Sequence, residues 1–177
     1  MVILIGGNDV LAFVFKTARL FFRITKSLPQ DPSPAWFREN LQEIVRRLKT
    51  ETAATVGLCS LPPIGEDPTS TNTCQSELNR RVEELSTTIR DVALHENTEY
   101  IALYESLSAE IMKSPGRAFN EFRFLPFYRD AFRTVLLRKS PDEIGRMNGW
   151  RFHTDGVHLN SRSGLIVADL VQEFLES

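Results

Sequence analysis

The chain opens on an unbroken apolar run, residues 2–5, of the kind shown by a strand covered on both faces. It stops at Gly6-Gly7-Asn8-Asp9. Two more strand-like runs follow, at 54–61 and 99–105, the first ended by Pro62-Pro63. Between them the apolar period lengthens to that of a helix. Over 34–49, Ser33 is placed to cap, Pro34 suits the first turn, and Trp36, Phe37, Leu41, Ile44, Val45 and Leu48 share one face. Over 76–95, Leu78, Val82, Leu85, Ile89 and Val92 repeat the spacing. A last helix is expected after a cap at Asn160 or Ser161, with Ile166, Leu170, Val171 and Phe174 inward. Residues 106–150 read as irregular, with short helices broken at Pro115-Gly116, Pro126 and Pro141.

Strands alternating with helices predict an α/β fold with a parallel sheet. In such sheets chemistry collects at the carboxyl ends of the strands, where both Gly6–Asp9 and the "LPPIGED" stretch fall. The 177 residues fit one domain, 1–177, large enough for a substantial core. Charge changes little in this picture: 21 basic against 23 acidic residues give no overall nucleic-acid signature. Cys59 and Cys74 have no metal-type spacing and imply no structural disulfide. The opening run lacks a basic lead and is too short for a signal peptide or membrane span. The compartment therefore stays unknown.

The candidate chemistry lies in "HTDGVHLNSRSG", residues 153–164. Asp155 and His158 are three apart, just ahead of the last helix. A carboxylate that holds one imidazole nitrogen fixes the tautomer and leaves the other free as a base. Gly156 permits the tight turn this needs. The same spacing also suits a helix-capping Asp beside a surface His. Asn8 has two readings as well, a donor at a strand end or a turn residue chosen for local reasons. Asp9 is expected to bond local backbone. His153 adds a third metal-capable side chain but no fourth ligand, and His95 suits a solvated helix end.

In order along the chain, a Gly-x-Asn-Asp turn after a strand and Asp-x-x-His before a C-terminal helix resemble the SGNH hydrolase (GDSL esterase/lipase) family. "IGGNDV" is similar to its third block and "TDGVHLNSRSG" to its fifth. "AWFRENLQEIVRRLK" and "VGLCSLPPIGED" are similar to the helix and strand between them. The resemblance implies a three-layer α/β/α, flavodoxin-like fold and hydrolysis of acyl esters without metal or organic cofactor. It also assigns roles: His158 as base and then acid, Asp155 as its orienting partner, and Asn8 as an oxyanion donor. Gly6 and Gly7 become candidate substrate-binding residues.

The chain departs from that pattern in one respect. It has no Gly-Asp-Ser block, and Ser60, Ser70, Ser76 and Ser163 do not sit in one. The expectation is therefore an N-terminally truncated domain, lacking its first strand or strands, the nucleophile and the second-block Gly. An unpaired apolar edge on residues 2–5 should then invite aggregation. The alternative is a truncated product or pseudoenzyme acting as a binding module.

Residues 11–28 carry no acid, and Lys16, Arg19, Arg23 and Lys26 recur at helical steps. Phe13, Phe21, Phe22, Ile24 and Leu28 fill much of the rest. This reads either as a core helix with a solvated basic face or as an amphipathic lid touching acyl chains or an anionic interface. Arg129, Arg133, Arg138 and Lys139 extend the basic character. The partners expected are a small-molecule or lipid ester and peripheral membrane contact through 11–28, with no nucleic acid and an unknown oligomeric state.

Overall fold

The computed structural model describes residues 1–121 and 138–177. Pro126, Arg129 and Arg133 lie outside the described residues. Three short strands, β1 (Val2–Ile3), β2 (Gly57–Cys59) and β3 (Glu99–Ile101), form a parallel sheet in the order β1-β2-β3. Ile3 pairs with Leu58, and Leu58 in turn with Tyr100. Parallel neighbours need crossovers, and two helices supply them. These are α3 (Pro34–Glu51) between β1 and β2, and α4 (Thr73–His95) between β2 and β3. Each starts where a side chain takes up orphan helix N–H groups. Ser33 Oγ accepts from Trp36 N at 3.2 Å, and Asn72 Oδ1 from Cys74 N at 2.9 Å.

The period of two along the strands divides the core between the faces of the sheet. Val56 and Leu58 join a cluster with Phe37, Leu41 and Val45 of α3 and Leu78, Val82, Leu85 and Ile89 of α4. Cys59 and Ile101 face the other way, toward Leu103, Leu107, Ile111 and Phe152. That second layer is built by α5 (Leu103–Lys113) and α7 (Ser161–Glu176), with Ile166, Leu170 and Phe174 packed inward. Helices on both faces of a parallel sheet give the three-layer α/β/α arrangement.

Several expectations are corrected. The strand expected over 99–105 ends at Ile101, because Leu103, Leu107 and Ile111 recur at helical spacing and start α5. Residues 106–150 are thus partly a regular helix, followed later by α6 (Pro141–Met147) behind a Ser140–Glu143 capping box. Residues 11–28 are not one helix. α1 (Gly7–Val14) stops at Phe15, whose backbone is extended, and α2 (Lys16–Thr25) starts anew. Arg19 serves the break: its Nε donates to Ala12 O at 3.0 Å, taking up a carbonyl at the end of α1. Arg19 is therefore a cap, and Arg23 pairs with Asp31 at 3.1 Å. The core-helix reading fails for α2, where Ala18 alone is buried and Leu20 and Ile24 are 60% and 68% exposed. Arg138 and Lys139 precede α6, where Lys139 pairs with Glu143. No described helix is long and apolar enough to cross a membrane.

Candidate active site

β1 runs straight into α1 through Gly6, which has φ +119° and is buried. A Cβ there would lie 3.0 Å from the Phe37 ring and 3.3 Å from Leu61, so only glycine suits this sharp turn. Gly6 thus shapes the backbone, while at Gly7, half-buried in the first turn of α1, an added Cβ would meet none of the described residues beyond its own helix and neighbours. Asn8 is exposed, and no partner for its side-chain amide is found among the described residues. Burial raises the Asp9 carboxyl above its ordinary value, offset in part by a local backbone hydrogen bond. Beside Asn8 runs a cleft of about 440 Å³ whose lining includes Ile5, Phe22, Trp36, Phe37 and Ile44.

At the carboxyl end of β2 the chain leaves as the loop from Leu61 to Glu66, and the segment 150–159 folds onto it. Gly65 N donates to Gly156 O at 2.8 Å. Residues 153–159 form a closed loop, with His153 and Leu159 in an antiparallel bridge and Thr154 N donating to His158 O at 2.8 Å. The Asp155–His158 pair occupies this loop. Asp155 Oδ1 accepts from Val157 N at 2.9 Å and His158 N at 2.8 Å, while Oδ2 lies 2.7 Å from His158 Nδ1. The helix-capping alternative for Asp155 falls away, because Asn160 Oδ1 takes the Ser163 N–H and caps α7.

The electrostatics follow from this geometry. Burial pulls the Asp155 carboxyl up, but the hydrogen bonds and charge of His158 outweigh it and hold the carboxyl below its ordinary range. The same hydrogen bond, opposed by partial desolvation, raises His158 above the ordinary imidazole value of 6.5. The His158 side chain is 74% exposed, and its Nε2 has no partner among the described residues. Asp155 therefore fixes one nitrogen and leaves the other free to move a proton.

The rest of the titratable inventory lies elsewhere. His95 ends α4, exposed beside Glu96. His153 does not face the same side as Asp155 and His158: it is fully buried, with Nδ1 3.0 Å from Glu66 Oε1 and Nε2 2.9 Å from Pro63 O. Both ring nitrogens are occupied, so the His-x-Asp-x-x-His run does not converge on a common point. Ser60, Ser70, Ser76 and Ser163 are each engaged with backbone. Ser163 Oγ donates to Phe152 O at 2.6 Å, Ser60 Oγ accepts from Tyr104 N at 2.9 Å, Ser76 Oγ donates to Thr73 O at 3.1 Å, and Ser70 Oγ accepts from Asn72 N at 3.3 Å. Cys59 and Cys74 are free thiols.

Glu66 is the residue that the sequence pattern did not single out. Its carboxylate is fully buried and receives N–H groups from Arg151, Phe152 and His153 at 2.7–3.0 Å. The signal was present: an acid directly after the Pro-Pro-Ile-Gly that ends an apolar strand has no ordinary reason to be near a core.

A family model for GDSL-like lipases and acylhydrolases matches residues 1–126, which include the Gly6–Asp9 turn and stop short of Asp155 and His158. No curated protein matches the chain. Among solved structures, an acetyl xylan esterase, AlAXEase, is similar with a TM-score of 0.53 and 20% identity, over 97% of this chain and 64% of that one. The likeness is one of fold, and the chain spans about 64% of the length of that relative. A turn of Gly-Gly-Asn-Asp at the end of a parallel strand, inside a three-layer sheet and within a match over most of the sequence, places the chain in the GDSL-like lipase/acylhydrolase family.

Proposed function

We propose that this chain is the histidine- and oxyanion-bearing part of an ester hydrolase whose full-length form works by a Ser-His-Asp mechanism. The nucleophilic serine and the second-block Gly belong to sequence outside the 177 residues. One observation carries the reading: His158 is held through Nδ1 by Asp155 at 2.7 Å and offers Nε2 to solvent. In that form Nε2 takes the serine proton as Oγ attacks the ester carbonyl, then returns it to the leaving alcohol. Asp155 stabilises the imidazolium that forms in between. The side-chain amide of Asn8, exposed beside the cleft, donates to the carbonyl oxygen as it becomes an oxyanion. The cleft beside Asn8, with Phe22, Trp36 and Ile44 on its wall, supports an acyl ester as substrate. Contact with an anionic interface through 11–28 is part of the same proposal, supported by exposed Leu20, Phe21 and Ile24 beside Lys16.

The rival reading is a non-catalytic binding module, favoured by the lack of a Gly-Asp-Ser block and by the backbone engagement of the four serines named above. One experiment separates them. A front segment carrying Gly-Asp-Ser, fused ahead of Met1, should create hydrolysis of short p-nitrophenyl esters that is lost in His158→Ala. The unfused chain should be no faster than its own His158→Ala variant. In the active fusion, Asn8→Ala should lower turnover by ~100–1,000-fold with a smaller change in KM. A folded, active fusion indifferent to both substitutions would refute the assignment.

A further inference from the structure

Glu66 and His153 stand 87 residues apart in sequence and meet where both are 0% exposed. The groups around the Glu66 carboxylate are donors: the backbone N–H of Phe152 at 2.7 Å and of His153 at 3.0 Å, His153 Nδ1 at 3.0 Å, and Arg151 N at 2.9 Å from the second oxygen. A carboxyl group faced by donors on both oxygens is ionised. Burial works against that charge, and the hydrogen bonds from His153 and the backbone overcome it, holding Glu66 below its ordinary range.

The imidazole is the complementary case. Nδ1 faces the carboxylate and Nε2 faces Pro63 O at 2.9 Å, and neither of these acceptors has a proton to give. Both ring nitrogens therefore face acceptors, an arrangement that a ring protonated at each of them satisfies. The pair also ties three loops together. Glu66 O accepts from Gly116 N at 2.7 Å, Glu66 N donates to Arg117 O at 2.8 Å, and the neighbouring Gly65 N holds Gly156 O. His153 closes the base of the 153–159 loop through its bridge to Leu159, and Gly156 lies between Asp155 and His158. One short stretch, 63–66, thus grips that loop at its base and at its turn.

We infer that Glu66 and His153 form a charged clasp that fixes the 153–159 loop and thereby holds Asp155 against His158. They are positioning residues, acting on the pair through the loop. A neutral hydrogen bond would hold the base of the loop less firmly, because a charge-assisted bond is shorter and stronger. The inference rests on Asp155 and His158 being the working pair of the proposed function, but its test needs no turnover.

The test is NMR of the full chain labelled with ¹⁵N at histidine. The unmodified protein should show two exchange-protected ring N–H protons on His153 at neutral pH, and a His158 titration midpoint above 6.5. Glu66→Gln should remove one His153 proton and move the His158 midpoint down, toward that of Asp155→Asn. In the Asp155→Asn background, Glu66→Gln should leave His158 unmoved, since the effect travels through Asp155. A single ring proton on His153 in the unmodified chain overturns the inference. So does a folded Glu66→Gln whose His158 midpoint equals that of the unmodified protein. Should Glu66→Gln fail to fold, His153→Gln gives the same comparison, and the unmodified chain still decides the protonation. A clasp seen by NMR beside an inactive completed enzyme would refute the ester-hydrolase reading alone. An active enzyme without the clasp signature would refute the clasp alone.

Discussion

Gly156 offers the sharpest test of how the Asp155–His158 loop is built. Its φ is +93°, and a Cβ there would lie 2.6 Å from Trp150 Cζ2 and 2.7 Å from Phe119 Cδ2. Gly156→Ala therefore meets two separate penalties. Holding a side-chain-bearing residue in that backbone region costs ~1–3 kcal/mol. Forcing a methyl against two aromatic rings costs another ~1–3 kcal/mol. The sum, ~2–6 kcal/mol, is a large share of the ~5–15 kcal/mol that holds a typical domain together. Eight residues on, Gly164 sits exposed in α7, and apart from its own helix backbone and chain neighbours no atom of the described residues lies within 4 Å of where a Cβ would be. Gly164→Ala should do the reverse and stabilise by ~0.5–1 kcal/mol, because alanine loses less chain entropy in a helix. Urea unfolding at pH 7, followed by circular dichroism, measures both. The midpoint should fall for Gly156→Ala and rise for Gly164→Ala, with the slope m unchanged in each. The His158 ring resonances should also shift in Gly156→Ala and stay in place in Gly164→Ala. A loss below about 1 kcal/mol for a folded Gly156→Ala would refute the steric argument. A destabilised Gly164→Ala would refute the reading of α7 as an ordinary, open helix face.

The Asp155–His158 pair predicts a pH dependence. Because His158 is raised, its contribution to stability is complete below 6.5 and is lost as pH rises through the folded value, while that of Asp155, held low, is present above 3.8 and is lost as pH falls through its folded value. In an active fusion the base must be neutral, so the acid limb of kcat/KM should lie above 6.5 and move down toward it in Asp155→Asn. Glu66 has the opposite sign: its lowered carboxyl contributes stability above the ordinary 4.5, lost as pH falls through the folded value. Acid titrations of unfolding should show that loss in the native sequence and a shallower one in Glu66→Gln; identical slopes would count against the buried carboxylate. Burial pushes the Cys59 thiol up to about 11, whereas Cys74 is only partly covered. Iodoacetamide at pH 8 should therefore label Cys74 well before Cys59, and equal rates would contradict the buried placement.

Much of the architecture was written locally. The apolar runs marked all three strands, the helical spacing of Leu78, Val82, Leu85 and Ile89 marked α4, and Ser33 and Asn160 announced two helix starts. The Asp155–His158 contact was also legible, since a three-residue spacing with a glycine inside leaves few geometries. Strand lengths were read too generously, because an apolar run shows burial and not ladder pairing: residues 54–56, 60 and 61 stay outside β2.

What tertiary structure alone decided are the contacts between segments far apart in sequence. No local pattern announces that Arg19 turns back to cap α1, which is why residues 11–28 read as one helix. His153 looked like a member of the same polar run as Asp155 and His158, yet it points inward. A buried carboxylate 87 residues away supplies what its ring needs, and so do the carbonyl of Pro63 and the backbone around them. A sequence specifies short-range geometry through propensity and spacing, which act within a few residues. The pairing of buried polar groups depends on which loops the fold brings together, and here the loop after β2 meets the 150–159 segment, where Gly65 N donates to Gly156 O.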